Sequence, residues 1–223
     1  MTRTDTEQLS TWTSDFGRAY TDRNTMTTDE MDEEFGRQFG VRKSEIYRDL
    51  VGPSRLPEGR VLEVGCNIGL QLRLLEKANR GLEFHGLEPQ PYAIERARQL
   101  SPTMHFHQGN AFALPFPDRS FDLVMTHGVL IHIHPNDLPR AIREIERVAR
   151  QYILCHEYYA PEPTEVRYQG RDGLLWKTDF ARKYRETFPR LRELAVRYYP
   201  YSDSCGGAGL VDQVALFLKA SGQ

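Results

Sequence analysis

The chain has 223 residues, 39% of them hydrophobic, enough to bury one sizeable core in one domain or a domain with a small appendage. A formal net charge of −2, with nine acids against four arginines in residues 1–40, argues against nucleic acid as a partner. No stretch approaches the roughly 20 apolar residues of a membrane helix, and MTRTDTEQLS lacks the apolar centre of a signal peptide, so a soluble cytoplasmic protein without a membrane partner is expected. Cys66, Cys155 and Cys205 are odd in number and sit in unrelated contexts, which reads as three free thiols rather than a disulfide framework or a zinc site.

In chain order, residues 6–20, 27–39 and 43–51 fit helices, broken by DRN and by Gly40 and closed by Pro53 and Pro57. This helical preface, 1–57, stands before a second unit at 58–223. From residue 60 apolar runs and helical patterns alternate: RVLEV, a helix near 68–79, EFHGLE, a helix near 91–100, MHFHQ, FDLVMT, a helix near 136–149, and YILCHEY. Such alternation implies crossover units on a mainly parallel sheet with helices on both faces, a doubly wound α/β fold. A polar insertion to about 174 follows, then a helix near 177–187, LRELAVRYY, the glycine-rich DSCGGAG, and DQVALFLKA. Two strands after that last helix suit a closing antiparallel pair in a seven-stranded sheet.

Ligands of such sheets bind outside the carboxyl ends of the strands, so the strand ends carry the functional information. The first is Glu63-Val-Gly65-Cys66-Asn67-Ile-Gly69. A dinucleotide fingerprint starting at Gly65 would need glycine at 67 and 70, where the chain has Asn67 and Leu70, and this weighs against a nicotinamide dehydrogenase. Asn tolerates left-handed backbone angles, so the turn can survive the exchange. The second is HGLEP, with Glu88 23 positions after Gly65 and followed by Pro89, near the spacing at which an acid accepts from ribose hydroxyls. The third is the QGNAFALPFPDRSFDLVMT run with Asn110 and Ala111, and the fourth is MTHGVLIHIHP with Thr126 and His127.

Together these ends resemble class I S-adenosylmethionine-dependent methyltransferases, with motif I at 63–69, Asn110 and Ala111 in the adenine-binding region, and Thr126 and His127 where the backbone passes the methionine end of the cofactor. The resemblance implies S-adenosylmethionine as cofactor and methyl transfer as activity. Within that superfamily, Trp12 to Asn24, VGCNIGL, HGVLIHIHPNDLP and the long run from Tyr152 to Ala181 resemble the group named pseudaminic-acid-biosynthesis-associated methylases, over nearly the whole chain. Elements before the first strand often close over the cofactor in the superfamily, so the preface is expected to act as a lid or cap on a Rossmann-like unit at 58–223. Tyr20, Arg23 and Asn24 of AYTDRN are expected there, with Arg23 and Asn24 as partners for the cofactor's carboxylate.

The acceptor has to be argued from residues, because fold does not select it. Methyl transfer is an in-line displacement that needs alignment and an available lone pair, and no metal is expected: His132 and His134 beside Cys155 and His156 lack paired zinc-ligand spacing. His85, His105 and His107 read as ordinary half-buried strand positions. His127 and His132 follow the fourth strand and are candidate bases or orienting groups. Glu157 at the end of the fifth strand, followed by Tyr158 and Tyr159, is a candidate counter-ion and aromatic enclosure for a cationic nitrogen. These readings leave two acceptors open: a nitrogen of an amino acid or guanidino or amino compound, which is preferred, and an oxygen or nitrogen of an amino sugar or sugar nucleotide. A non-catalytic cofactor-binding protein is a third possibility, and a homodimer is compatible with, though not derivable from, the sequence.

Overall fold

A computed structural model of the protein describes residues 6–201 and 209–220. It begins with α1 (Glu7–Trp12), α2 (Asp15–Arg23), α3 (Thr28–Phe39) and α4 (Lys43–Val51). The one helix expected over 6–20 is two, because Ser14 caps a fresh start: its hydroxyl accepts from the Phe16 N–H. Gly17 permits the chain to turn tightly there, since a Cβ would stand 1.8 Å from the Trp12 carbonyl oxygen. Thr27 and Glu30 form a reciprocal capping box at the start of α3, and Gly40, left-handed at φ 72°, ends it.

The alternating region follows as β1 (Gly59–Val64), α5 (Leu70–Ala78), β2 (Leu82–Glu88), α6 (Pro91–Leu100), β3 (His105–Gln108), β4 (Phe121–His127), a 3₁₀ turn (Leu130–His132), α7 (Leu138–Val148) and β5 (Ala149–Tyr158). A short ribbon, β6 (Thr164–Glu165) with β7 (Trp176–Lys177), interrupts the expected loop, and α8 (Phe180–Thr187), β8 (Arg192–Pro200) and β9 (Val211–Leu218) complete the chain. The seven-stranded sheet runs β3-β2-β1-β4-β5-β9-β8; its first five strands are parallel, and β9 is antiparallel to both neighbours. The α/β sheet and its closing pair are therefore as expected from the alternation.

Two apolar layers cover the sheet. One packs α7 and α8 against it through Leu138, Ala141, Ile142, Ile145 and Val148, a helical stripe, together with Phe180 and Tyr184. The other packs α4, α5 and α6 through Ile46, Tyr47, Leu50, Leu72, Leu75 and Ile94. Each fully buried Leu or Ile contributes roughly 1.5–3 kcal/mol. Since α4 lies in the same layer as α5, the packing does not break at residue 57; α1 and α2 bury far less, Gly17 and Thr21 being their only buried residues. The strand order reverses between β1 and β4, so a crevice opens past the carboxyl ends of those strands. Cys66 and Cys155 are buried free thiols, while Cys205 and most of DSCGGAG lie outside the described residues.

Candidate active site

The turn after β1 forms one side of this crevice. Gly65 is left-handed at φ 74°, and a Cβ on it would fall 2.4 Å from Val129 Cγ2, so glycine is required by both conformation and space. Asn67 is left-handed too, at φ 45°. Its side chain does what a glycine could not: Oδ1 accepts from Asn24 Nδ2 at 3.2 Å, and Nδ2 donates to Thr21 Oγ1 at 2.9 Å, fastening the turn to α2. The Asn67 and Gln90 N–H groups each donate to Glu88 at 3.0 Å, which aims this carboxylate from the tip of β2. Burial pushes its pKa up to about 7 against the pull of those two bonds.

A cavity of about 230 Å³ lies over these strand ends. Of the residues expected at the cofactor, Tyr20, Asn24, Glu63, Gly65, Cys66, Asn67, Glu88, Pro89, Asn110, Ala111 and His127 line it. Three do not. Arg23 is exposed and donates to Gln169 Oε1 at 2.9 Å, so its guanidinium faces the insertion and not the cavity. Thr126 is buried beside Glu157, and Gly69 serves the turn as the left-handed N-cap of α5, where a Cβ would press on the Phe106 ring at 3.0 Å.

Across the cavity stand Trp12 of α1 and His132 of the 3₁₀ turn, with ring centroids 4.6 Å apart and Tyr20 and Tyr168 against them. Gln8 donates to the Gly173 carbonyl and Gln90 to the Ser14 carbonyl, both at 3.0 Å, holding α1 and the start of α2 over the strand ends. His132 Nδ1 is 2.6 Å from the Leu174 carbonyl oxygen, which can only accept. The proton is thereby fixed on Nδ1, leaving Nε2 with the lone pair. Burial depresses the ring's pKa to about 4, so it stays neutral at ordinary pH.

His127 is differently placed. Its Nε2 meets the ammonium of Lys43, a lysine wholly buried at the start of α4. Next to it His156 packs edge-on at 4.5 Å and bonds Asp212 Oδ2 at 2.9 Å, and the Tyr201 hydroxyl donates to the other Asp212 oxygen at 3.1 Å. Burial draws the Lys43 pKa down to about 7, opposed by the charges of Asp212, Glu63, Asp32 and Glu157. His127 therefore touches the cavity with one nitrogen already engaged.

The expected acceptor cluster does not assemble. Glu157 is 1% exposed and lies under the 3₁₀ turn, where Oε2 accepts from the Ile131 N–H at 3.4 Å; it does not line the cavity. Burial raises its pKa to about 7. Alternation along β5 turns Tyr158 toward Tyr201, and Tyr159 packs on Tyr198 at 4.8 Å, so the three residues do not converge. A strand end gives a residue's position but not the loop that closes over it, and here residues 128–133 cover Glu157. Lys43, Gln90, Trp12 and the 166–173 loop complete the neighbourhood; Trp12 and the loop fall in the stretches that carry the family resemblance, while Lys43 and Gln90 had no sequence signal.

Residues 62–152 match the family model described as a methyltransferase domain. Curated relatives include a malonyl-[acyl-carrier protein] O-methyltransferase of Halorhodospira halophila, 34% identical over 49% of this chain and 38% of that protein. Another is a phthiotriol/phenolphthiotriol dimycocerosates methyltransferase of Mycobacterium leprae, 32% identical over 68% of this chain and 52% of that protein. Over residues 62–152 this chain is similar to methyltransferase domains. It spans about half or less of the length of those curated relatives. A likeness in fold extends beyond the matched residues: the 1,6-didemethyltoxoflavin-N1-methyltransferase of Burkholderia thailandensis, solved with bound 1,6-didemethyltoxoflavin and S-adenosylhomocysteine, superposes over 96% of this chain and 90% of its own with a TM-score of 0.68 at 18% identity. The cavity of this chain has features that suit a ligand of that kind: Glu63 lines it and has a buried Oε2 without a partner among the described residues, and the Gly65 cradle has no room for a side chain. Among the described residues no helix is long and apolar enough to cross a membrane.

Proposed function

We propose that this methyltransferase acts on a small molecule through a neutral nucleophile, a hydroxyl or an uncharged amine, and that His132 is its general base. Bound S-adenosylmethionine supplies the electrophilic methyl group and leaves as S-adenosylhomocysteine. On the protein side Glu88 accepts from the ribose hydroxyls, Glu63 from the amino group, Asn110 and Ala111 flank the adenine, and Tyr20 and Asn24 close the amino-acid end. The Asn110 amide oxygen accepts from the Phe112 N–H at 2.9 Å, which leaves one lone pair for a ligand.

The observation carrying the reading is His132: a ring on the cavity wall with its proton tied to Leu174 and its other nitrogen free to take the nucleophile's proton as the new bond forms. Trp12 and Tyr20 offer flat surfaces to the body of the acceptor. A cationic nitrogen would need a counter-ion, and Glu157, the residue expected to supply it, is enclosed under the 3₁₀ turn. The balance therefore passes to an oxygen or neutral nitrogen, which agrees with the resemblance to methylases associated with pseudaminic-acid biosynthesis and with an amino-sugar type of acceptor.

The test is an acceptor panel of sugar-type hydroxyl and amino compounds against guanidino compounds, followed by two variants. His132→Ala should lower turnover on the order of 10²–10⁴-fold, with cofactor affinity within about three-fold of the parent. Glu157→Gln should cost far less. A guanidino acceptor, with the larger loss in Glu157→Gln, overturns the proposal.

A further inference from the structure

On the sheet edge remote from the cavity, Glu83, His85 and His105 bring one carboxylate oxygen and two imidazole nitrogens within 4.8 Å of one another. We propose that they bind a divalent transition-metal ion of the zinc, nickel or copper type, with His107 as the hydrogen-bonding support behind His85. This departs from the expectation that these histidines are ordinary strand positions.

The arrangement follows from strand geometry. Glu83 and His85 are two apart on β2 and so share a face, and His105 is the direct cross-strand partner of His85 on β3. His85 Nε2 stands 2.7 Å and His105 Nε2 3.8 Å from the same oxygen, Glu83 Oε1. Around a tetrahedral ion with metal–ligand bonds near 2.0–2.1 Å, neighbouring ligand atoms are about 3.3 Å apart. The observed separations bracket that value, and the half-exposed side chains of Glu83 and His105 can make the adjustment. Two imidazoles with one carboxylate favour borderline transition metals over magnesium or calcium, which want oxygen throughout.

A ligating histidine works best when its other nitrogen has a partner, and His107 Nε2 lies 3.2 Å from His85 Nδ1. Without metal, His85 donates Nε2–H to Glu83 and accepts at Nδ1 from His107. With metal on Nε2, the His85 proton sits on Nδ1 and is donated to His107 Nε2, whose own proton moves to its Nδ1. Both rings remain neutral and no net proton is released. Phe121 and Phe116 pack on His85 and His107 at 5.2 and 5.0 Å and give the site an apolar wall. Arg60, 3.7 Å from Glu83, opposes a cation and moderates affinity. The ion would pin edge strand β3 to β2 about 16 Å from Glu88, five residues further along the strand, so its role is structural.

Calorimetric titration of untagged protein with Zn²⁺ should show one saturable equivalent, and thermal unfolding should shift upward with the ion. Glu83→Gln and His105→Ala, both at exposed positions, should each weaken binding ten-fold or more, whereas Arg60→Ala should tighten it and His134→Ala leave it unchanged. Cu²⁺ titrated in place of zinc should show two coordinated nitrogens by paramagnetic resonance in the parent and one in His105→Ala. No saturable binding, or binding indifferent to Glu83→Gln and His105→Ala with circular dichroism unchanged, overturns the site.

Discussion

The two walls of the cavity are built by different means. The wall proposed for the cofactor is made of neighbours: Gly65 and Cys66 donate to the Leu87 carbonyl, and Asn67 N–H reaches Glu88 across only 21 positions. The wall proposed for the acceptor is made of strangers: Gln8 bonds Gly173, 165 positions away, and Trp12 lies on His132. One wall is backbone held by turn geometry, the other is side chains held by long-range packing. Rigid cofactor recognition and variable acceptor choice can therefore be set separately on one fold.

The largest effect on cofactor binding is expected where the first wall depends on one group. Glu88→Ala should raise the cofactor dissociation constant about 30- to 150-fold, the loss of roughly 2–3 kcal/mol from a charge-assisted pair of hydrogen bonds. Hydroxyls donating to Glu88 favour its ionised form, so affinity in the parent should weaken as pH falls below about 7. Calorimetry at two pH values measures both. An unchanged constant in a folded Glu88→Ala protein would show that the strand-tip acid does not hold the ribose.

The same contrast explains what the sequence made legible. Alternating apolar runs marked every strand of the large sheet, and the caps at Thr27 and Gly40 confirm α3 where its pattern lay. Gly65 and Glu88 were readable because a short turn and a strand tip need those residue types at fixed spacing, and Asn67 stood out as the departure from that spacing. Glu157 was misread because its burial depends on residues 128–133, and Arg23 because its partner sits in an insertion without periodicity. Lys43 could not be found at all: a lysine opening an amphipathic helix looks solvated until β4, β5 and β9 bring His127, His156 and Asp212 beside it.

A smaller effect should separate the walls by mobility. Residues 9–24 bury little of their own surface, and we expect them to order over bound cofactor as a lid. Hydrogen exchange should slow in this segment on cofactor binding while β1 and β4 change little. Trp12→Ala should raise the acceptor KM several-fold and leave the cofactor constant near that of the parent. Equal exchange with and without cofactor would make α1 and α2 a fixed wall.

The smallest effect concerns stability and tests whether Glu157 is structural. Its pKa is about 7 in the folded chain against the usual 4.5, because burial disfavours the charged form. Between those values the unfolded state loses its proton first, so this residue destabilises the fold progressively as pH rises from about 4.5, with the full cost present above about 7. The cost is at most about 3.5 kcal/mol, since one pKa unit corresponds to about 1.4 kcal/mol. Lys43 has the reverse dependence: lowered from 10.5 to about 7, it costs stability below about 7, and the cost disappears as pH rises toward 10.5. His127 and His156, also lowered by burial, add slopes of their own, so the parent's profile alone is not diagnostic. The difference between parent and Glu157→Gln is. Glu157→Gln should gain stability relative to the parent as pH goes from 4.5 to 7, by several degrees in the unfolding midpoint. A difference that stays flat across that window would mean the carboxyl is not desolvated under the 3₁₀ turn, and would return it to the acceptor wall.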